Sequence, residues 1–252
     1  MSSITLKERL NRGETAVGTF QALPSAAVSE MAGLAGLDFV IIDQEHGPLT
    51  ATDSLPLCAA AQHGGSSPIV RVRENSMPEI QRALDIGAEG VQIPQIETQA
   101  DAEAAVKAAR FNPVGERGLS PYVRAGGYDG SETYTEDQNE SVLVSIHIEG
   151  QNGLDNIEDI LSVDGIDLIF IGPYDLSQSL GIPGQVTDQR VEQTMTEICE
   201  LAQEAGKIVG TYADSAEVAS QWIEVGVQYV AVSVDVSFLK RRFAQLADSI
   251  AN

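Results

Sequence analysis

The stretch VLVSIHIE, residues 142–149, carries the pattern that decides the fold. It is apolar and rich in β-branched residues, as expected of a strand that is buried on both faces of a parallel sheet. Seven other runs along the chain share this character. They are AVGTF (16–20), DFVIID (38–43), PIVRV (68–72), GVQIP (90–94), DLIFIG (167–172), KIVGTY (207–212) and YVAVSV (229–234).

Segments of helical period separate these eight runs. Examples are PSAAVSEMAGLAG (24–36), QADAEAAVKAAR (99–110) and SAEVASQWIEVG (215–226). Eight repeats of strand and helix predict an α/β fold, a (β/α)8 TIM barrel with residues 1–252 as a single domain. A doubly wound open sheet is the alternative, but no G-x-G-x-x-G motif follows the first strand.

One long stretch, from Asn112 to about Asp129, is rich in glycine and proline and predicts irregular structure. A loop of this length in a compact domain is usually functional or part of an interface. The two cysteines, Cys58 and Cys199, lie in helical segments without metal or redox spacing, which favours buried packing.

The charge of the chain is strongly acidic. Its 37 acidic and 15 basic residues give a net charge of -22, which disfavours binding to nucleic acid and to anionic membranes. So few basic residues, with only Lys7, Lys107, Lys207 and Lys240 as lysines, also suit a salt-rich cytoplasm that screens self-repulsion. No leader sequence and no apolar run near the ~20 residues of a membrane span is present, so we expect a cytoplasmic protein.

Polar side chains gather where the predicted strands end, which is where TIM barrels build their active sites. His147 and Glu149 alternate with apolar residues and therefore point into the barrel. Glu149 and Asp175 follow adjacent strands, so their carboxylates can converge. Two carboxylates and water form an oxygen-rich site for Mg²⁺, Mn²⁺ or a similar divalent ion.

Two further residues near these strand ends have open interpretations. Arg71 lies within an apolar strand, where its charge requires an anionic partner, either a substrate or a neighbouring acid. His46, in IDQEHGP (42–48), is either a general base or a polar turn residue. His63 stands near a helix end, where cations are favoured, and we expect no catalytic role for it.

The lysines exclude one class of mechanism. A carbanion next to a ketone is stabilised either by a Schiff-base lysine or by a metal ion. All four lysines are predicted to lie outside the barrel interior. Carbanion chemistry in this barrel would therefore depend on a metal.

Taken together, these motifs resemble the HpcH/HpaI family of metal-dependent pyruvate aldolases, whose barrels are of the phosphoenolpyruvate/pyruvate type. The resemblance covers about residues 15 to 240. Its motifs are DFVIIDQEHGP, IVRV followed by RALDIGAEGVQIPQIET, GERGL, the IHIE strand end and LIFIGPYDLSQSLG.

The resemblance implies reversible cleavage of a 4-hydroxy-2-oxo acid to pyruvate, or a related 2-oxo acid, and an aldehyde through a metal-bound enolate. It implies that His46 is the catalytic base, that Asp85 hydrogen-bonds His46, and that Arg71 stabilises the enolate. Glu149 and Asp175 would hold Mg²⁺, Mn²⁺ or Co²⁺. The remaining residues implied in substrate binding are His147, Gly172, Pro173 and Tyr174, together with Arg71 and Asp175.

Family members are commonly homo-oligomers, either hexamers or trimers of dimers, with exchanged C-terminal helices, which implies the same assembly here. The sequence departs from the family pattern at several positions. His147 replaces a glutamine, Tyr174 replaces a small residue, and Gly150 and Gln151 replace a Thr-Arg pair. Two alternatives remain: a related carbon–carbon lyase of the same superfamily, and a non-catalytic barrel that binds metal and an oxo acid.

Overall fold

A computed structural model describes residues 4–251 as a closed barrel of eight parallel strands. The strands follow one another around the barrel in chain order, and β1 pairs with β8 to close it. Every predicted run forms a strand, with bounds that differ by at most one residue at either end. The strands are β1 (Ala16–Gln21), β2 (Phe39–Asp43), β3 (Ser67–Arg71), β4 (Gly90–Ile93), β5 (Leu143–Ile148), β6 (Leu168–Ile171), β7 (Ile208–Ala213) and β8 (Tyr229–Val234).

Helices connect the strands and surround the barrel, so the predicted (β/α)8 architecture is confirmed. Several of them start at side-chain caps that the sequence encodes. The Thr98 hydroxyl, for example, accepts a hydrogen bond from the Asp101 N–H, and the Asp101 carboxylate accepts one from the Thr98 N–H. The helices are α1 (Leu6–Asn11), α2 (Ala26–Leu34), α3 (Ala51–Gly64), α4 (Met77–Asp85), α5 (Gln99–Ala109), α6 (Tyr134–Ser141), α7 (Gln151–Asp155), α8 (Ile157–Leu161), α9 (Pro173–Ser179), α10 (Gln189–Glu204), α11 (Ala216–Val225) and α12 (Asp235–Ala251).

Aromatic side chains fill the lower part of the barrel interior. The Phe39 and Tyr229 rings stack with centroids 3.8 Å apart, and the Phe170 ring meets Tyr229 edge-on at 6.2 Å. Gly18 makes room for this stack, because a Cβ atom there would come within 2.3 Å of the Phe39 ring. Leu10 of α1 belongs to the same buried cluster and lies at its amino-terminal end. The interior is thus packed with side chains toward the amino ends of the strands.

The predicted irregular stretch is confirmed as a loop that contains only a short 3-10 helix, Arg124–Gly126, between α5 and α6. Arg124 anchors it to the barrel by donating to the Gln62 side chain at 2.7 Å. Its outer face exposes large side chains, including Tyr122 and Tyr128.

The last helix, α12, extends away from the barrel. Its first residue, Asp235, accepts hydrogen bonds from the Ala22 and Leu23 N–H groups, both at 3.0 Å, and most of the following side chains are exposed. None of the helices between residues 4 and 251 is both long and apolar enough to cross a membrane.

Candidate active site

A cavity of about 390 Å³ opens at the carboxyl ends of the strands. It has two chemically distinct halves. Charged and polar side chains from β2, β3, β5 and α9 line one half, whereas β1, β6, β7 and β8 contribute mainly aromatic and aliphatic groups to the other. The lining residues are Phe20, Ala22, Asp43, His46, Arg71, His147, Glu149, Phe170, Gly172, Pro173, Tyr174, Asp175, Tyr212 and Val234.

Arg71 is held in the polar half by two acids. Its Nε and Nη2 atoms donate to the two Asp43 carboxylate oxygens at 2.9 and 2.8 Å, and Nη1 lies 3.1 Å from Glu45. Burial alone would lower the pKa of Arg71, but the hydrogen bonds and charges of these carboxylates outweigh it and raise the pKa above its ordinary value. The structure therefore gives Arg71 neighbouring acids as partners, and because Arg71 also lines the cavity, its interaction with a substrate stays a prediction.

Asp43 also shapes the loop that follows β2. Its Oδ1 atom accepts hydrogen bonds from the Glu45 and His46 N–H groups at 3.1 and 3.3 Å. Position 47 requires glycine, because the backbone there passes so close to Asp43 that a Cβ atom would lie 2.3 Å from the Asp43 carbonyl oxygen. The acids of IDQEHGP therefore hold both Arg71 and the loop that carries His46.

His46 lies at the mouth of the cavity, with 65% of its side chain exposed. Its Nε2 atom is 3.8 Å from Glu45. Burial and the nearby Glu149 carboxylate raise the pKa of Glu45, although Arg71 and the two histidines act against the increase. The imidazole is accessible to a substrate in the cavity.

Within one chain, the structure does not place Asp85 beside His46, so the predicted hydrogen bond is not formed inside a single copy and stays a prediction. Asp85 ends α4, and α4 runs from the carboxyl end of β3 toward the opposite face of the barrel. There it accepts a hydrogen bond from the buried Arg117 side chain at 2.7 Å. Its partner in this chain is therefore an arginine.

A buried hydrogen-bonded chain links the floor of the cavity to Glu149. Tyr229 Oη and the Gln92 side chain are 3.3 Å apart, and Gln92 Oε1 is 3.3 Å from His147 Nε2. His147 Nδ1 is 3.2 Å from Glu149 Oε2. This chain fixes the His147 ring, which also stacks on Phe170 at 4.6 Å.

Comparisons with known proteins identify the family. The HpcH/HpaI aldolase/citrate lyase family model matches residues 16–241. The chain belongs to this family. The resemblance inferred from the motifs is thus confirmed, as is the prediction of a carbon–carbon lyase.

Individual relatives cover nearly the whole chain. A 2-keto-3-deoxy-L-rhamnonate aldolase of Escherichia coli O6:K15:H31 is 38% identical over 91% of this chain and 86% of its own length. An HpcH/HpaI aldolase/citrate lyase family protein from Burkholderia cenocepacia J2315 is 34% identical, with a TM-score of 0.94 over 99% of this chain and 100% of that one. The citrate synthase SbnG is also 34% identical, with a TM-score of 0.89 over 99% and 98% of the two chains.

The predicted metal residues of this HpcH/HpaI member are suitable for a divalent ion. Glu149 and Asp175 line the cavity together and also share a neighbouring recess with Glu45 and His46. Each Glu149 oxygen has one hydrogen-bonding partner, the Gln95 N–H at 2.9 Å or His147, so each retains a lone pair. Between residues 4 and 251, no cluster of three or more His, Cys, Asp or Glu side chains has metal-binding geometry, so water and substrate would complete the coordination.

The ionisation of Glu149 also fits a cation. Burial by itself raises the pKa of this carboxyl. The charge and hydrogen bond of His147, the Gln95 N–H and Arg71 together outweigh burial, so the pKa lies below its ordinary value. The carboxylate is therefore charged and available as a ligand at neutral pH.

The aromatic half of the aldolase cavity was missed by sequence reasoning. Phe20, Tyr212 and Val234 lie near the ends of β1, β7 and β8. The eight-strand pattern already placed these ends at the carboxyl face of the barrel. Alternation with outward-facing neighbours was the available signal for Phe20 and Tyr212, whereas the φ of 57° at Ser233 breaks the alternation before Val234.

Proposed function

We propose that this protein is a metal-dependent aldolase that reversibly cleaves a 4-hydroxy-2-oxo acid to pyruvate and an aldehyde. One observation carries the proposal: the cavity brings a fixed cation, Arg71, an accessible base, His46, and two carboxylates, Glu149 and Asp175, onto one polar wall. The named aldolase activity of the E. coli relative supports the same reaction class.

In the cleavage direction, His46 takes the proton of the substrate's 4-hydroxyl group. The bond between C3 and C4 then breaks, the aldehyde forms, and the electron pair moves into the C2 carbonyl to give an enolate. Arg71 faces the negative charge that develops on the C2 oxygen and stabilises it. Proton transfer to C3 completes pyruvate.

Glu149 and Asp175 would hold the divalent ion, Mg²⁺, Mn²⁺ or Co²⁺, which supplies Lewis-acid polarisation of the keto group when bound. Gly172 leaves space beside this pair, because a Cβ atom there would lie 2.7 Å from Glu149 Oε2. We assign the substrate carboxylate to the backbone around Gly172 and Pro173. His147 and Tyr174 are assigned to neighbouring parts of the substrate.

An activity panel tests this proposal. Pyruvate, a set of aldehydes and Mg²⁺, Mn²⁺ or Co²⁺ should give aldol adducts, and EDTA should abolish their formation. His46→Ala should lose turnover while retaining oxo-acid binding. His63→Ala is the matched control, since the His63 side chain is 80% exposed on α3 and does not line the cavity. EDTA-resistant turnover, or full activity of His46→Ala, would contradict the proposed chemistry.

A second candidate comes from the citrate synthase relative. In this alternative, the same cavity joins an enolate to the ketone of a second oxo acid. Addition of oxaloacetate to the panel separates the two reactions. A CoA-linked or phosphonate substrate is less well supported, because Arg71 is the only Lys or Arg that lines the described cavity and it is already paired.

We also propose that the protein forms a homo-oligomer in which α12 packs on a second copy. Along α12, five exposed apolar residues recur at spacings of three and four, which places them on one helix face. They are Val236, Leu239, Phe243, Leu246 and Ile250. On the barrel, α2 exposes Met31 and Leu34, which are 58% and 72% accessible. A helix from another copy would cover both surfaces.

Such an assembly would allow the hydrogen bond between Asp85 and His46 that is not formed within one chain. Since Asp85 and His46 lie at opposite faces of one barrel, they can meet only if Asp85 comes from a neighbouring copy. The exposure of His46 and the fixed position of Asp85 on Arg117 are compatible with this arrangement. The cytoplasmic location remains a prediction from the sequence.

A further inference from the structure

Two tyrosines beside the aromatic half of the cavity share one carboxylate as a hydrogen-bonding partner. The Tyr174 hydroxyl lies 3.0 Å from both carboxylate oxygens of Asp214. The Tyr212 hydroxyl donates to Asp214 Oδ1 at 3.2 Å. The two rings meet edge-on, with centroids 5.9 Å apart. We call Tyr174, Tyr212 and Asp214 the tyrosine clamp.

A second cavity of about 350 Å³ lies behind the tyrosine clamp, between α10 and α11. Tyr212 and Pro173 line both cavities, so Tyr212 forms part of the wall between them. The second cavity has many apolar groups, among them Val186, Met195, Val218 and Trp222. An alkyl chain that passed Tyr212 would therefore enter an environment that can bind it.

Tyr212 is a neutral hydrogen-bond donor in this clamp. Burial and the Asp214 carboxylate raise the pKa of Tyr212 to about 12, so the phenol keeps its proton at neutral pH. Tyr212 is further fixed by the Phe20 ring, 6.0 Å away between centroids.

The polar wall determines which part of a substrate meets the clamp. The oxo-acid carbons must lie near Arg71, Glu149 and Asp175, because these groups carry the charges that stabilise the reaction. A substituent on the reacting carbons is then directed past Phe20, whose ring lies 4.7 Å from the Arg71 guanidinium, toward Tyr212, whose ring centroid lies 6.0 Å beyond that of Phe20. This geometry holds for an alkyl group of the donor oxo acid and for the chain of the acceptor aldehyde.

We propose that Asp214 is a positioning residue that holds Tyr174 and Tyr212 across the passage between the two cavities, and that the clamp thereby restricts the enzyme to substrates with short alkyl substituents. This inference rests on the proposed aldolase function. It assigns a specificity role to Asp214, which itself lines the second cavity and not the first.

Chain-length selectivity tests the proposal. One series combines pyruvate with aldehydes from acetaldehyde to hexanal, and the other combines acetaldehyde with oxo acids from pyruvate to 2-oxohexanoate. In Tyr212→Ala, the ratio of kcat/KM for long over short substrates should rise about tenfold or more in one of the two series, which identifies the source of the chain. Asp214→Ala should change the same ratio in the same direction.

Conservative variants separate positioning from a structural effect. Tyr212→Phe keeps the ring and Asp214→Asn keeps an acceptor oxygen, so both should change the ratio less than the alanine variants do. Tyr128→Ala, an exposed tyrosine in the loop before α6, should leave the ratio at the wild-type value. An unchanged ratio in folded Tyr212→Ala and Asp214→Ala would overturn the proposal.

A binding measurement distinguishes failure of this inference from failure of the aldolase assignment. Trp222 is the only tryptophan of the chain and lines the second cavity. Titration of Mg²⁺-loaded protein with pyruvate and with 2-oxooctanoate should change Trp222 fluorescence only for 2-oxooctanoate, and only in Tyr212→Ala and Asp214→Ala. If no substrate pair turns over, this readout still decides the inference, and equal responses in wild type and both variants would refute it.

Discussion

Asp43 and Arg71 are register partners on β2 and β3, and their side chains meet in a two-point ion pair inside the cavity. The two hydrogen bonds measure 2.9 and 2.8 Å. Only a planar guanidinium can satisfy both carboxylate oxygens in this way, since an ammonium group is a single point of charge. The cation that faces the cavity is therefore held in one orientation by the protein itself.

Replacement of Arg71 by lysine should expose this dependence on geometry. We expect Arg71→Lys to lower kcat/KM for pyruvate by about 10²–10³-fold, as for loss of a donor to a developing negative charge. Arg73→Lys is the control, because Arg73 is exposed and donates to the Leu49 carbonyl at 3.1 Å outside the cavity lining. Steady-state kinetics at saturating metal measure both. Activity of Arg71→Lys within twofold of wild type would exclude the proposed role.

The lowered pKa of Glu149 makes stability depend on pH in a defined direction. Because the folded-state pKa lies below the ordinary glutamate value of 4.5, the ionised carboxylate stabilises the fold above pH 4.5, and this contribution is lost as the pH falls through the folded-state pKa. In EDTA at pH 7, Glu149→Gln should therefore be less stable than wild type, by roughly 1–2 kcal/mol.

Urea denaturation from pH 7 to pH 3 measures this effect. The difference between wild type and Glu149→Gln should shrink as the pH drops below 4.5. Glu103→Gln, an exposed change on α5, serves as the control. A difference that grows toward acidic pH would show that the sign is wrong.

Gly18 should tolerate no side chain. A methyl group at this position would lie within 2.4 Å of both the Phe39 ring and the Phe39 carbonyl oxygen. We expect Gly18→Ala to lower the free energy of unfolding by about 1–3 kcal/mol through overpacking of the barrel interior. Gly150→Ala is the matched control, since no atom lies within 4 Å of its Cβ position. Thermal unfolding of the two variants with equal midpoints would contradict this packing argument.

Phe243 should be essential for assembly through α12. We expect Phe243→Asp to reduce the molar mass measured by light scattering, because it places a charge at the centre of the apolar helix face. Gln245→Asp introduces the same charge on another face of the helix and should leave the mass unchanged. A monomeric wild type, or an unchanged oligomer in Phe243→Asp, would rule out the proposed contact.

The net charge of -22 should make stability strongly dependent on salt. Raising KCl from 10 mM to 1 M shortens the range of repulsion from about 30 to 3 Å. We expect the thermal midpoint to rise by roughly 5 °C or more, which corresponds to a few kcal/mol for a chain of this size. Differential scanning calorimetry measures the midpoint. Equal midpoints at both salt concentrations would refute the hypothesis that the acidity suits a salt-rich environment.

The strands were predictable because each carries its signal locally. VLVSIHIE, for instance, contains both the buried run and the two polar residues that point inward from β5, and the structure places His147 and Glu149 in the cavity. Contacts that join distant segments were harder to predict. Tyr212 reads as an ordinary strand residue, and its relation to Tyr174 appears only when β7 and α9 are brought together.

The position of Asp85 shows a second limit. A helix that follows a barrel strand starts at the carboxyl face and ends at the amino face, so the last residue of α4 lies far from His46 in the same chain. Helix direction is readable from the sequence pattern and places the RALDIGA motif away from His46. The pairing of Asp85 with Arg117 joins α4 to a distant irregular loop and has no local signal.

The aromatic stack of Phe39 and Tyr229 has a kinetic consequence. Because it closes the barrel interior from below, both products of a cleavage reaction share one exit. We therefore expect ordered release, in which the outer product leaves before the product nearer the floor. The product that leaves last would then inhibit competitively with respect to the substrate, whereas the product that leaves first would give a different inhibition pattern. Product-inhibition kinetics therefore measure the order of release.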